Sequence, residues 1–170
     1  MNKKIRIYDF DDTLIKTNSF MYITHTDGSK LKLTPEQYAV YDALPGDEFD
    51  FSDFNGPLIQ PKIIKKNFDM FTKALSKSRS DRRTVILTAR EHPDPIKDFL
   101  KKKGLGDIEV IALGSSDPQK KADWIEAQIK NGYTEVAFMD DSIKNIKAVK
   151  NMARKYKYPD YFIIAKLIRP

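Results

Sequence analysis

The 170-residue chain contains no cysteine, and this absence excludes several kinds of chemistry. Disulfide bonds, thiolate metal sites and a cysteine nucleophile are all ruled out. Histidine is also scarce, and His25 and His92 have no metal-ligand spacing between them. We therefore expect both histidines in loops or at the surface, although His25 could touch a substrate.

Long apolar runs are missing as well, since no stretch approaches the roughly 20 apolar residues that span a bilayer. The first residues, Met1 to Lys4, lead at once into a strand-like run, which leaves no room for a cleaved signal sequence. We therefore expect a cytoplasmic protein with no membrane partner. The length and an apolar content of 41% suit a single domain over residues 1–170.

Positive charge is in excess over negative charge, and the charged residues are unevenly distributed along the chain. The formal net charge is +6, and residues 142–170 hold eight basic residues and one acid. Residues 42–54 hold five acids and no base. A basic segment can favour a polyanionic partner, although a solvated lysine-rich helix face is the more common explanation of such a pattern.

Three carboxylates follow an apolar, strand-like run near the start of the chain. Asp9, Asp11 and Asp12 come directly after Ile5 to Tyr8. Acids this close raise one another's pKa unless a cation or hydrogen bonds hold them, and the carboxyl edge of a parallel sheet is a natural place for a divalent metal. A solvated turn is the alternative. In extended backbone Asp9 and Asp11 point to one side and Asp12 to the other, so one acid can attack while the other moves a proton.

Polar residues also end other predicted strands. Thr88 closes the apolar run 84–88 and is followed by Ala89 and Arg90, and Asp140 and Asp141 close the run 135–139. Thr88 could cap the next helix or bind a ligand. Further strands are predicted at 108–113 and 161–168, and helices at 62–77, 93–103, from 117 onwards and at 143–156. This alternation predicts an α/β fold with a parallel sheet covered on both faces.

The segment between the first strand and residue 80 has a different pattern. Two strand-like runs, 20–25 and 30–34, flank Thr26-Asp27-Gly28-Ser29, which predicts a β-hairpin. Thr34, Pro35 and Gln37 then predict a helix that runs to about Leu44. The aromatic residues Phe49, Phe51 and Phe54 follow. We expect them to pack this loop down, the alternative being a surface that holds a ligand base.

The residues Asp9-Phe10-Asp11-Asp12-Thr13-Leu14 resemble the first motif of the haloacid dehalogenase-like (HAD) superfamily, Asp-x-Asp-x-Thr after a hydrophobic strand. The other three motifs follow in order as Thr88, Lys121 and the pair Asp140-Asp141. Asp12 departs from the glycine often found at its position. The resemblance covers essentially the whole chain outside residues 15–80. It implies a Rossmann-like, three-layer α/β/α fold with sheet order 5-4-1-2-3 and a small flap or cap at about 15–80.

The resemblance also implies an activity, that of a phosphatase that works through a phosphoaspartate. Asp9 is then the nucleophile and Asp11 the general acid and base, while Thr88 and Lys121 stabilise the transferred group. We prefer Lys121 to Lys120, because Lys121 lies one turn from Ile125 on the inward helix face.

The same resemblance implies Mg²⁺ as the cofactor. Its expected ligands are the Asp9 side chain, the Asp11 backbone carbonyl and Asp140, with Asp141 second to Asp140. Asn145 could instead complete the site, or it could merely cap its helix.

The expected substrate is a nucleic-acid end or a nucleotide. The insertion at 15–80 is small for a cap, and the basic segment suits a large anionic substrate, so the chain is similar to the phosphatase part of polynucleotide repair enzymes. Two alternatives stay open. One is a phosphatase for small metabolites such as sugar phosphates or nucleotides, and the other is a non-catalytic nucleic-acid-binding module.

Overall fold

A five-stranded parallel sheet flanked by helices forms the centre of the fold in the computed structural model, which describes residues 2–170. Along the chain the elements are β1 (Lys3–Tyr8), β2 (Ile15–Lys16), β3 (Met21–Thr24), β4 (Lys30–Leu33), α1 (Pro35–Tyr38), β5 (Glu48–Asp50), a 3-10 turn (Ser52–Phe54), β6 (Lys62–Ile63), α2 (Lys65–Leu75), β7 (Arg82–Thr88), α3 (Asp94–Lys102), β8 (Val110–Ala112), α4 (Pro118–Lys130), β9 (Tyr133–Asp140), α5 (Ile143–Ala153) and β10 (Phe162–Leu167). The strands of the parallel sheet lie side by side in the order β10-β9-β1-β7-β8. The predicted α/β class with a helix-covered parallel sheet is confirmed.

Two apolar cores lie on the two faces of this sheet. Ile5 and Ile7 of β1 pack with α4 and α5, whereas Tyr8 packs with α2 and α3. Because side chains alternate along a strand, a strand that is covered on both faces must be apolar at nearly every position. This explains why the parallel strands were visible in the sequence as continuous apolar runs.

The helix predicted from Thr34 to Leu44 is much shorter than expected. Its start is correct, since the Thr34 side chain accepts from the Gln37 amide and the Gln37 side chain accepts from the Thr34 amide. The helix nevertheless ends at Tyr38, and none of its residues is buried. Most helical stability in proteins comes from packing an apolar face, so a good cap alone does not extend this helix.

The start of α2 is also displaced from the prediction. Lys62 and Ile63 form β6, which pairs antiparallel with Ile15 and Lys16 of β2, so the helix begins at Lys65. The predicted start of this helix at residue 62 is therefore wrong. A ladder of two residues per strand leaves too short a pattern to see in the sequence.

A second sheet, which is antiparallel, is formed by residues that fall between β1 and α2 in the sequence. The predicted hairpin is confirmed, with β3 paired to β4 and Gly28 at φ +85° in the turn. The third strand, β5, pairs with the other edge of β3 and was not predicted. We call residues 20–55, which contain this sheet, the antiparallel segment.

The remaining elements follow the predicted positions with small differences at their ends. The largest is in α5, which stops at Ala153 although the prediction extended it to Tyr156. Within residues 2–170, no helix has both the length and the apolar character that a membrane span needs.

Candidate functional site

Three neighbouring strand ends bring most of the predicted site residues together. Because β9, β1 and β7 are adjacent and parallel, Asp140, Asp9 and Thr88 meet at one edge of the sheet. They line a cavity of about 550 Å³, together with Asp11 and Lys121. The sheet topology thus places this cavity at the carboxyl edge, where open α/β folds bind ligands.

An acidic cluster occupies the floor of this cavity. Asp9, Asp140 and Asp141 each offer one carboxylate oxygen, and these oxygens lie within 4.8 Å of one another. Burial raises the pKa of Asp9, and the nearby Asp140 charge raises it further, against the opposing effect of Lys121. Burial and the Asp9 charge likewise raise the pKa of Asp141. Three ionised carboxylates here are therefore costly without a further cation, and their oxygens are the ligands that hard divalent ions prefer.

Lys121 bridges two members of this cluster. Its Nζ lies 2.9 Å from Asp9 Oδ1 and 2.9 Å from Asp140 Oδ2, and the residue is 3% exposed. Burial lowers the pKa of Lys121, but the carboxylates of Asp140 and Asp9 outweigh burial and raise it above the ordinary value. Lys120 is exposed to solvent instead. The lysine that contacts the acids is thus Lys121, the one selected from the inward-face pattern.

Short hydrogen bonds orient the acids of the cluster. The Thr13 hydroxyl lies 2.9 Å from Asp9 Oδ2 and 3.2 Å from Asp141 Oδ1, so it can donate to either carboxylate. Asn145 Nδ2 donates to Asp140 Oδ2 at 3.0 Å, while Ser142 rather than Asn145 caps α5. Asn145 therefore acts here as a partner of Asp140, a contact that the sequence pattern did not specify.

Asp11 lies outside the acidic cluster and pairs with Arg90. The Arg90 Nε and Nη2 atoms donate to the two Asp11 oxygens, both at 2.8 Å. The Arg90 side chain is 2% exposed, and it also donates from Nη1 to the Phe54 carbonyl at 3.3 Å. Such a two-point pairing fixes the orientation of the carboxylate.

Arg90 is the residue whose role the sequence analysis missed. Its backbone amide donates to the Thr88 hydroxyl at 3.1 Å, so Thr88 caps the turn while it lines the cavity. The available signal was the position of Arg90, two residues beyond a strand-ending threonine. Nothing in the pattern, however, indicated that its partner would be Asp11.

Asp12 lines the cavity together with Asp9 and Asp11, although alternation along an extended strand predicted that it would point away from them. Its backbone adopts φ +60°, a left-handed conformation that costs less for glycine than for other residues. Its Oδ2 is buried without a hydrogen-bond partner in the described part of the chain. Burial and the Asp11 charge raise the pKa of Asp12 to about 6.

The antiparallel segment forms another part of the cavity wall. Tyr38, Phe49, Phe51 and Phe54 all line it. Phe54 is buried, with its ring centroid 4.7 Å from the Arg90 guanidinium. Phe49 and Phe51 are 38% and 41% exposed. The expectation that these aromatics pack the loop down is thus correct for Phe54 and wrong for the other two.

The basic segment reaches the cavity at the start of α5. Lys144 lines the cavity and lies 3.5 Å from Asp42 of the antiparallel segment. Lys147, Lys150 and Arg154 follow at helical spacing, and all are exposed. These four residues therefore form a stripe, which we call the basic stripe, that leads away from the cavity.

The two histidines are not among the residues that line the cavity. His25 Nδ1 lies 2.6 Å from Asp47 Oδ1 within the antiparallel segment, and His92 is exposed. A loop or surface position for both agrees with the sequence prediction.

Comparisons with known proteins assign no family to the chain. No protein-family model, no curated protein and no solved structure matches it. The site is therefore interpreted from its own geometry.

Proposed function

We propose that this protein is a Mg²⁺-dependent phosphatase of the HAD type, which hydrolyses a phosphomonoester through a phosphoaspartate. The observation that carries the proposal is the cluster of Asp9, Asp140 and Asp141 bridged by Lys121 at the carboxyl edge of the sheet. The strand order supports it, because the five parallel strands, counted along the chain, lie in the sequence 5-4-1-2-3 that the HAD resemblance implies. In this proposal the antiparallel segment, which lines the same cavity, serves as the flap.

The acidic cluster fits a magnesium ion. Asp9, Asp140 and Asp141 would hold it, together with the backbone carbonyl of Asp11, and all of these donors are oxygen. The raised pKa values of Asp9 and Asp141 indicate that the cluster lacks positive charge on its own. When bound, the ion supplies charge that lets an anionic phosphate approach the carboxylates.

In the first step, an Asp9 carboxylate oxygen attacks phosphorus and the bond from phosphorus to the substrate oxygen breaks. Asp11 donates a proton to that leaving oxygen. In the second step, Asp11 takes a proton from water, whose oxygen attacks the same phosphorus. The bond to Asp9 then breaks, which releases phosphate and restores both carboxyl groups.

Two other residues act on the charge of the transferred group. The Lys121 ammonium and the Thr88 hydroxyl lie at the edge that the phosphoryl oxygens would occupy, so both stabilise negative charge there. Asp11 must free one oxygen from Arg90 to exchange a proton, because both of its oxygens are occupied by the guanidinium. Arg90 thereby sets the direction from which Asp11 reaches the substrate.

The substrate that we propose is a nucleic-acid end. The basic stripe begins at Lys144 beside the cavity and extends to Arg154, which is about 15 Å along a helix. Exposed lysines and arginines over that length can contact several successive phosphates. A mononucleotide is the second candidate, since a cavity of about 550 Å³ is of the size that holds small molecules.

The chemistry is tested by phosphate release from a panel of 3′- and 5′-phosphorylated oligonucleotides, nucleotides and sugar phosphates, with and without Mg²⁺. We expect magnesium-dependent release that disappears in Asp9→Asn and persists in Asp98→Asn, a matched change at an exposed position of α3. Release that survives Asp9→Asn would contradict the proposed nucleophile.

The choice between large and small substrates is tested with the basic stripe. A Lys147→Gln/Lys150→Gln/Arg154→Gln variant should lose activity on a phosphorylated oligonucleotide at low salt and keep its activity on a mononucleotide. The control is Lys101→Gln/Lys102→Gln/Lys103→Gln, which removes the same charge from exposed positions near the end of α3. Equal behaviour of the two variants would exclude a role for the stripe.

A further inference from the structure

Three aromatic rings of the antiparallel segment form a cluster on the cavity wall. The Phe49 and Phe51 rings are nearly parallel, at 7°, with centroids 5.9 Å apart. The Tyr38 ring stands edge-on to both, at 6.2 Å from Phe49 and 5.6 Å from Phe51. We call Tyr38, Phe49 and Phe51 the ring cluster.

The ring cluster does not anchor the segment in a core. None of its members belongs to either apolar core of the described residues. Polar contacts hold the adjoining chain instead, since Asp53 accepts from the Phe20 amide and from the Tyr22 hydroxyl. Phe49 and Phe51 are exposed, Tyr38 is half-buried, and all three line the cavity. Aromatic rings grouped in this way on a cavity wall are typical of a binding surface.

A hydrogen bond sets the position of the ring cluster relative to the acidic edge. The Tyr38 hydroxyl lies 3.1 Å from Ser116 Oγ, in the loop before α4, and both residues line the cavity. Lys121 follows in α4, so the same part of the chain holds the ring cluster and the bridging lysine. The ring cluster and the acids therefore line the same cavity.

We propose that the ring cluster is a stacking subsite for the nucleobase next to the phosphate that Asp9 attacks. The proposal rests on the proposed phosphatase function and narrows its substrate class to nucleoside phosphates, free or at the end of a strand. Every base has a π-face that can stack on an aromatic ring, whereas a sugar phosphate has none.

The charge around the cavity favours a base over a second phosphate at this wall. Asp42, Asp50 and Asp53 surround the ring cluster in the sequence, and residues 42–54 contain no basic residue. A phosphate there would be repelled, while a neutral base would not. The positive charge lies along α5, at Lys144, which pairs with Asp42, and at the rest of the basic stripe, where phosphates that follow the terminal nucleotide would be attracted.

Binding is tested without turnover, in an Asp9→Asn background, with a nucleoside monophosphate that carries 2-aminopurine. Its fluorescence should be quenched on binding, because stacking on an aromatic ring quenches this base. Adding Phe51→Leu or Phe49→Leu should raise the Kd for this nucleotide about tenfold or more. Phe51→Tyr should keep the quenching, and so should Phe162→Leu, a matched change at an exposed phenylalanine of β10.

Turnover gives the second readout in an otherwise unchanged protein. Phe51→Leu should raise KM for a nucleoside monophosphate about tenfold and leave KM for ribose phosphate unchanged. Equal changes in KM for the two substrates would overturn the subsite, as would unquenched binding of 2-aminopurine. Absence of phosphate release from every substrate would overturn the phosphatase proposal alone, because the fluorescence measurement does not depend on turnover.

Discussion

The acidic edge of the parallel sheet and the antiparallel segment face the same cavity, but different interactions hold them. At the edge, Asp9, Lys121 and Asp140 are buried and joined by contacts of 2.9 Å. On the antiparallel segment, Phe49 and Phe51 are exposed, and the half-buried Tyr38 contacts the exposed Ser116 through its hydroxyl. One wall is thus built of buried charge and the other of exposed apolar surface.

This difference indicates a division of labour under the proposed function. Buried charges at short distances keep their geometry and act strongly on a bound phosphate, because the surroundings screen them weakly. The exposed aromatic residues lie on a separate small sheet, so substitutions among them can leave the position of the buried acids and Lys121 unchanged. Arg90 connects the two walls, since it pairs with Asp11 and also contacts Phe54.

The largest expected effect comes from removing the buried cation. Lys121→Met leaves Asp9 and Asp140 buried without their partner, and such a loss typically costs about 3–5 kcal/mol. Urea unfolding without metal should show this decrease. Lys120→Met, one residue earlier and exposed, should change the free energy of unfolding by no more than about 0.5 kcal/mol. Equal effects of the two substitutions would show that the Lys121 ammonium does not stabilise the buried carboxylates of Asp9 and Asp140.

Magnesium should raise the free energy of unfolding of the wild-type protein by somewhat less than the Lys121→Met substitution lowers it. At a concentration about a hundredfold above its Kd, a ligand that binds only the folded state adds about 2.7 kcal/mol. Thermal unfolding should show a rise in Tm with Mg²⁺ that is absent with NaCl at the same ionic strength. Asp140→Asn should lose the rise. If Mg²⁺ raised the Tm of Asp140→Asn as much as that of the wild type, the ion would bind at a site that does not include Asp140.

Replacement of the connecting arginine should affect catalysis more than metal binding. Arg90→Lys keeps the charge but loses the two-point contact with Asp11, and a misplaced general acid can cost about a hundredfold in kcat. The Mg²⁺-dependent rise in Tm should persist, since Arg90 does not contact the acidic cluster. Arg83→Lys is the control, because Arg83 makes a two-point contact with Glu109 at the other end of β7. If both variants retain wild-type kcat, Arg90 does not position Asp11.

The smallest expected effect concerns the antiparallel segment, and it depends on pH. Asp47, whose side chain is 1% exposed, accepts from the Tyr41 hydroxyl, from His25 and from the Leu44 amide. The Tyr41 hydrogen bond is the main cause that lowers the pKa of Asp47 below its ordinary 3.8. Because the folded pKa lies below the unfolded one, the stabilisation is complete above about pH 4 and is lost as pH falls through the folded value.

Hydrogen exchange measures this loss locally. Between about pH 6 and about pH 3, protection factors in the antiparallel segment should stay constant down to about pH 4 and fall below it. In Asp47→Asn the protection of the segment should be lower and independent of pH over this range. The same fall of protection in Asp47→Asn would assign the pH dependence to another group.

Much of the sheet and its acidic edge could be predicted because their signals are local. A strand that is covered on both faces must be apolar, and acids that end such strands stand out in the sequence. The choice of Lys121 over Lys120 needed only the helical position of Ile125. These inferences use residues that are close together in the chain.

The rest depends on partners that are distant in sequence. Arg90 pairs with Asp11 across 79 positions, and no local pattern states which buried cation meets which acid. The ends of α1 and α2 were misjudged because tertiary packing and a two-residue ladder decided them. The exposure of Phe49 and Phe51 likewise depends on what covers them and not on their own side chains.

The most direct test of the central claim is a search for a phosphoryl group on Asp9. An Asp11→Asn variant should form the phosphoaspartate but hydrolyse it slowly, since the base that activates water is missing. Mass spectrometry after acid quench, with Mg²⁺ and the best substrate of the panel, should find the peptide that contains Asp9 heavier by one phosphoryl group. The addition should be absent from Asp9→Asn/Asp11→Asn. A phosphoryl group on another residue, or none while the wild type turns over the same substrate, would contradict the account.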